Sequence, residues 1–283
     1  MNLFKRFWNL RGVRKFRRDK LAMVCLGVIA IYGALALLVA GGIIAQEHDL
    51  RVGEKYLTPA WDHLLGTDRQ GRDIFTRLVY ANKIAFAVGL VSSIVARTIG
   101  TILGALAGYF RGPVDAVIVW LYSTIQSIPY LLLLMALTYV AGKGLTGIYV
   151  AFCCTYWVGP CRVIRGEVLK LRSMEYVQAA KALGLSSWAI LFRHIIPNTL
   201  HLVFGNFALL FIGAIKSEVI LSYLGLGVQG EPSWGTMIDQ ARAELVNGFF
   251  WQIGGATVAM LVLVLAFNIF TDSLQDALDP RST

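Results

Sequence analysis

Side chains able to do covalent or metal chemistry are few in this sequence, and their spacing suits none of the usual chemistries. The four histidines are His48, His63, His194 and His201, and no two stand at metal-ligand spacing. Neither His-Glu-x-x-His nor Gly-x-Ser-x-Gly occurs. The four cysteines, Cys25, Cys153, Cys154 and Cys161, form no Cys-x-x-Cys and read as small buried hydrophobes, with no disulfide expected. The phosphate-cradling Gly-x-x-x-x-Gly-Lys-Ser/Thr is also absent. "AGKGLTG" (Ala141 to Gly147) has the glycines and a lysine without that spacing, and reads as a tight outer turn between two apolar runs. A metalloenzyme, a serine hydrolase and a chain that hydrolyses nucleotides are all poorly supported. No cofactor is expected on this chain.

What remains is isolated charge in oily surroundings. Arg97, in "SSIVARTIG", lies inside an apolar run, where an ionisable group is costly and is a functional hypothesis by default. Pairing with backbone carbonyls, or with an acid of a neighbouring subunit, is favoured for it over direct contact with a substrate. Glu218 follows Lys216 near the end of a later run; a Glu218–Lys216 pair without further role competes closely with a functional one. Gly100, Gly104 and Gly108 recur every four residues, a smooth stripe suited to close helix packing.

The elements that must position these residues are membrane helices. Hydrophobic residues make up 57% of the 283 and charged ones only 15%, against about a quarter charged in a soluble domain; mean hydropathy is +0.63. About 20 apolar residues span a bilayer as a helix, and six runs qualify, near 21–45, 84–110, 116–140, 145–162, 200–221 and 250–271. The expected fold is therefore all-α and polytopic, with six transmembrane helices. Residues 1–63 carry the basic N-terminus, the first helix and the start of an outer loop; residues 64–283 carry the other five helices. Residues 1–20 hold eight Lys/Arg and one acid, and 162–199 hold six Lys/Arg and two acids. By the positive-inside rule both lie in the cytoplasm, as do both termini. Phe4, Phe7 and Trp8 among Lys5, Arg6 and Arg11 suggest an interfacial helix at the start.

The inner segment, about 163–199, is too polar to enter lipid and reads as a helix, a turn and a second helix. Ser173 is placed to cap the first helix with Glu175 in its first turn, Gly184 to end it, and Leu185 to follow as the hydrophobic residue. Leu169, Tyr176, Val177, Ala180 and Leu183 lean to one side; Glu175, Gln178 and Lys181 lean to another. "SSWAILFRHII" starts the second helix, which Pro197 is expected to break. Small Ala179 and Ala180 let a partner approach, so the segment is a docking element.

"EYVQAAKALGLSSWAILFRHIIPN" resembles the cytoplasmic EAA loop of ABC importer permeases. Gln178-Ala179-Ala180 fills its first part, Gly184 is in register, and His194, Ile196 and Pro197 stand at its closing positions. The dipeptide/oligopeptide/nickel branch is similar along the whole chain, through "FRRDKLAMVCLGVIAI", "LLGTDRQGRDIFTRLVY", "GALAGYFRGPVD", "LSYLGLGVQGEPSWGTMI" and "FNIFTDSLQDALDPR". Departures from that pattern occur at "AGGIIAQEHDL", "ANKIAF" and Gly254-Gly255-Ala256.

The resemblance implies a non-enzymatic pathway subunit in a bacterial inner membrane, paired with a second, homologous permease. Two separate ATP-binding subunits would carry ATP and Mg, and a periplasmic binding protein would deliver a peptide or similar solute. No nucleic-acid partner is expected. Glu175, Tyr176, Gln178, Ala179, Ala180, Lys181 and Gly184 would couple to the ATPase. Glu218, Tyr223, Leu224 and Arg97 are candidates for the pathway or its outer gate. A proton- or ion-coupled secondary transporter is the alternative, but should show midplane acids and inverted repeats; a membrane-embedded enzyme should show clustered catalytic residues.

Two outer segments complete the expectation. In 46–80, a short surface helix capped by Thr67 or Asp68 would hold its charges outward. In 218–235, three glycines and Pro232 forbid a long regular helix, so a partly re-entrant segment is expected.

Overall fold

The computed structural model describes residues 19–205 and 207–278; the N-terminal interfacial helix expected above lies outside them. Among the described residues the chain is helical, with two isolated bridges, Arg51 to Arg72 and Thr67 to Asp73, as its only extended pairing. It divides into two compact units, residues 1–89 with 215–283, and residues 90–214.

In the first unit, α1 (Lys20–Ala40) is apolar on all sides, as a membrane-crossing helix must be. Asp19 caps it, accepting from Leu21 N–H at 3.0 Å and Ala22 N–H at 3.2 Å. The Ser273 hydroxyl also donates to Asp19 at 2.8 Å, and that bond is the main reason its carboxyl sits below the usual carboxylate range. The long α2 (Ile74–Phe110) has 37 residues, about 55 Å at 1.5 Å per residue. It outruns a hydrocarbon core of about 30 Å. The expected surface helix near 68–80 does not exist separately, because residues from Ile74 onward are the opening turns of α2. Its cap is Asp73, which accepts from Thr76 N–H at 2.7 Å, and not Thr67 or Asp68.

In the second unit, the apolar run 116–140 is split into α3 (Gly112–Ser127) and α4 (Tyr130–Ala141), bent by 95°. The cause is local: Pro129 keeps Ile128 out of the helical region (φ −92°, ψ 134°). The glycines of "AGKGLTG" do make a turn, with φ +98° at Gly142 and +108° at Gly144. α5 (Leu145–Thr155) and α6 (Val158–Leu171) follow. The glycine stripe of α2 packs on α6. A Cβ at Gly104 would come within 2.5 Å of the Cys161 carbonyl, and one at Gly108 within 2.8 Å of the Arg165 carbonyl, so only glycine allows this approach. Arg165 clamps Asp115 through Nε and Nη2, at 2.5 and 2.8 Å.

The amphipathic segment forms α7 (Glu175–Ala182) and α8 (Ser187–Ile190), then a π-turn (Leu191–Ile195) that runs directly into α9 (Ile196–Gly205). Pro197 therefore does not break the second helix. The π-turn bonds Ile196 N–H five residues back, to Leu191 O, so the ladder has already shifted where the proline withholds its donor. α10 (Phe207–Tyr223) follows, with 17 residues. The first unit is completed by α11 (Trp234–Val246) and α12 (Trp251–Leu278). The sequence reading gave no sign of α11, although Ser233 and Thr236 form a reciprocal capping box there.

Among the described residues, four stretches are long and apolar enough to cross a membrane, Lys20–Ala40, Ile74–Phe110, Leu145–Leu171 and Trp251–Gln275, and the bent pair α3–α4 makes a fifth if it is one span. The run 200–221 falls on α9 and α10, on either side of position 206.

Candidate functional site

The α7 segment is built to hold one shape. Ser173 does not cap it: the N-cap is Met174, and the Ser173 hydroxyl donates back to Lys170 O at 2.7 Å. The C-terminus follows expectation. Gly184 takes φ +79° and donates to Lys181 O at 3.0 Å, while Leu185 N–H reaches Ala180 O at 3.2 Å. These two bonds are the Schellman closure. Ser186 then caps α8 by accepting from Ala189 N–H at 3.2 Å.

Of the residues expected on one apolar side, Val177 and Ala180 are buried, in a cluster with Ala105, Tyr109, Val168 and Ile190. Tyr176 and Leu183 are instead exposed, Leu183 at 80%. Met174, Leu185, Trp188 and Phe192 are exposed along the same segment. Trp188 stacks on Phe192 with ring centroids 5.9 Å apart. The polar residues are tied down: Gln178 Nε2 donates to Arg172 O at 2.9 Å, and Asn198 Nδ2 donates to the Tyr176 hydroxyl at 3.3 Å. The Lys181 ammonium lies 5.8 Å from the Tyr109 ring centre. Glu175 and Ala179 are exposed.

The other candidates are dispersed. Arg97 is 7% exposed, and its Nη1 donates to Leu202 O at 3.4 Å, in keeping with the carbonyl pairing expected of it. Glu218 lies within α10, not at the start of a re-entrant segment. It is buried, and Oε1 accepts from the Ser222 hydroxyl at 2.6 Å. No ion pair joins it to Lys216 among the described residues. Lys216 is exposed, because residues two apart on a helix point to opposite sides. Helix α10 continues to Tyr223 and closes on Gly225 (φ +77°), with Leu226 N–H donating to Leu221 O at 2.9 Å. Tyr223 and Leu224 are exposed at this end. Arg242 donates to Tyr223 O at 3.0 Å and stands 3.8 Å over its ring.

The charges of 46–80, expected to face outward, form a partly buried cluster in the first unit, joined by Gln240 and Glu244, which the sequence did not connect to them. Asp68 is buried and accepts from Gln70 N–H (2.7 Å), Arg72 N–H (3.0 Å) and Arg72 Nε (2.7 Å). Arg77, expected to point outward, is buried as well, and donates to Asp49 at 3.3 Å and to the Gln240 side chain at 3.0 Å. Glu244 accepts from Arg69 N–H at 3.1 Å, and burial pushes its carboxyl above the ordinary range. Arg77 and Gln240 lie 163 residues apart; no local pattern announces their meeting. The outer loop is thus held by buried ion pairs and not by a surface helix.

Residues 100–283 match the family described as "Binding-protein-dependent transport system inner membrane component". The chain is similar to the dipeptide transport system permease protein DppC of Bacillus subtilis (strain 168), at 35% identity over 95% of this chain and 84% of that one. It is also similar to the glutathione transport system permease protein GsiD of Pectobacterium atrosepticum, at 34% over 98% and 91%. The oligopeptide transport system permease protein OppC of Bacillus subtilis (strain 168) gives 33% over 94% and 88%. Among solved structures, the MetNI methionine ABC transporter in an inward-facing form matches with a TM-score of 0.59 and 16% identity, over 73% of this chain and 98% of that one. That likeness speaks to the fold alone.

Proposed function

This chain belongs to the binding-protein-dependent transport-system inner membrane components, and from that membership we propose that it is one of two permease subunits of an ATP-driven peptide importer. The relatives are named for dipeptides, oligopeptides and glutathione, all peptides, and this supports the peptide class for this chain too. Its partners are then a second, homologous permease, two ATP-binding subunits that carry ATP and Mg, and a periplasmic binding protein. Both termini and the α7–α8 segment lie in the cytoplasm of a bacterium, by the positive-inside placement of the basic segments. The chain itself does no covalent chemistry.

The observation that carries the coupling role is the exposure of Tyr176, Leu183, Leu185, Trp188 and Phe192 on a segment whose backbone is fixed by the Schellman closure. Several large apolar side chains left bare on one short segment support an interaction site, and a short helix laid into a groove is a common way to cover them. Glu175, Tyr176, Gln178, Ala179, Lys181 and Gly184 belong to this docking surface; Ala180, expected with them, is buried and packs α7 against its own unit. When ATP draws the two ATP-binding subunits together, a rigid segment transmits the movement to the helices it joins, biasing two arrangements of the bundle. Glu218, Tyr223 and Leu224 sit at or near the far end of α10, and we assign them to the outer mouth of the pathway.

The test is co-expression of the full chain with its second permease and ATP-binding subunits, followed by purification and reconstitution. ATP hydrolysis and peptide uptake should require all of them together with the binding protein. ATP-independent uptake driven by a proton gradient would overturn the reading in favour of a secondary transporter.

A further inference from the structure

Within the second unit, α2, α6, α9 and α10 line an open cavity of about 270 Å³ that includes Arg97, Thr101, Pro160, Val163, Leu209 and Leu210. Among the described residues its wall is apolar except at one place. Arg97 and Thr101 are one helical turn apart and share a face of α2. The guanidinium spends Nη1 on the Leu202 carbonyl, while Nε is buried without a partner, and the Thr101 hydroxyl is equally unpartnered. The Nε–Nη2 edge of the fork, which suits a carboxylate in bidentate fashion, is therefore unspent.

The charge also lacks a counter-ion. Residues 90–214 contain three acids: Asp115, Glu167 and Glu175. Asp115 is held by Arg165 and Glu167 by Lys170, Glu175 is exposed on α7, and none lines the cavity. An uncompensated guanidinium inside a membrane-crossing helix is expensive, and such groups persist where something pairs with them. The packing explains the glycines of α2 but gives no reason for an arginine here.

We propose that Arg97 and Thr101 form an anion subsite within the bundle that takes the terminal carboxylate of a short peptide, with the apolar cavity accepting the adjacent side chain. Arg97 supplies two parallel N–H donors through Nε and Nη2, and Thr101 a third through its hydroxyl. The choice of a peptide as the bearer of the carboxylate rests on the importer reading; the anion site itself rests on geometry alone. A lipid phosphate or an acid of the second permease would satisfy the same fork, and the test separates them.

The experiment uses the assembled complex in nanodiscs of neutral lipid. The four native cysteines are replaced and a single cysteine is introduced at the cavity wall by Val163→Cys. The readout is its rate of maleimide labelling, with Leu-Leu or its C-terminal amide as the probe. The free acid should slow labelling about tenfold or more, the amide no more than about twofold, the difference one charge-assisted pair makes. Arg97→Gln should abolish the difference, and Arg97→Lys should keep part of it. Equal protection by acid and amide, or protection that survives Arg97→Gln, overturns the proposal. So does protection that follows phosphatidylglycerol content instead of peptide, which assigns the site to lipid. A failure of Arg97→Gln to co-purify with the second permease, rescued by Arg97→Lys, overturns it in favour of an inter-subunit ion pair. Labelling needs neither ATP nor the binding protein, so a failed importer reading would show separately, as absent ATP-dependent uptake.

Discussion

The charged segment 46–77 inverts what its composition suggests, whereas the amphipathic segment 172–196 keeps to it. The first has six acids and six bases between residues 46 and 83, yet it buries Asp68 and Arg77, holding Asp68 with Arg72 of the same segment and Arg77 with Gln240 of α11. The second has a regular apolar pattern and leaves Leu183, Trp188 and Phe192 uncovered. A segment that completes its bonds inside its own unit needs no partner to be ordered. A segment that leaves apolar side chains bare is the one for which a complement in another chain is proposed. Charge points the wrong way for the first segment, while the amphipathic build of the second already reads as a docking element; whether each group finds its partner within the chain is what separates the two.

The sharpest way to break that contrast is Asp68→Ala. It strands Arg72, Arg77 and two backbone N–H groups in a buried place, a loss of about 3–5 kcal/mol. Thermal unfolding of the purified protein should report it, with new proteolytic cleavage in 64–80. Asp49, half exposed beside the same arginines, should cost under about 1 kcal/mol as Asp49→Ala. Equal effects of the two would mean the cluster is solvated after all.

The amphipathic segment should behave in the opposite way. At Gly184, where φ is +79° and a Cβ would meet open space, Gly184→Val costs about 1–2 kcal/mol of local strain. It should leave expression intact while sharply reducing co-purification with the ATP-binding subunits and coupled ATP hydrolysis. Normal coupling would remove α7 from the docking role. Leu183→Ser should change the unfolding temperature hardly at all, within about 0.5 kcal/mol, and still weaken that association. If it destabilises the chain instead, these apolar side chains are internal packing and the contrast dissolves.

The smallest effect concerns pH. Burial raises the Glu244 carboxyl above its unfolded value, so its contribution to stability is fully present below the unfolded pKa and is lost as pH rises through the higher folded one. Glu244→Gln keeps an acceptor for Arg69 N–H and should flatten stability against pH from the ordinary carboxylate range upward. An unchanged pH profile would mean that Glu244 titrates as a solvated acid.

Much of the site was legible because its signals are local. Gly184 followed by Leu185 encodes a helix end within a few residues, and Pro129 encodes a bend. Other local signals were present and outweighed. Ser173 can cap, but its hydroxyl satisfied Lys170 O. Pro197 can break a helix, but a π-turn absorbed it. The capping box at Ser233 and Thr236 was readable and is the signal that would have found α11.

By itself the sequence determined that the chain is helical and crosses a membrane several times, because spanning a bilayer requires only an unbroken apolar stretch whose backbone bonds close within the helix. It also determined the closure of α7 at Gly184 and the smooth face of α2, since each depends on one residue type at one spacing. Only the tertiary structure decided which charges are buried with partners and which are left without. Arg77 meets Gln240 across 163 residues, Glu218 turns away from Lys216, and Arg97 faces a cavity that no acid of its unit lines. Those outcomes depend on which distant groups packing brings within hydrogen-bond reach, and a bond of about 3 Å between remote side chains leaves no periodicity in the chain that makes it.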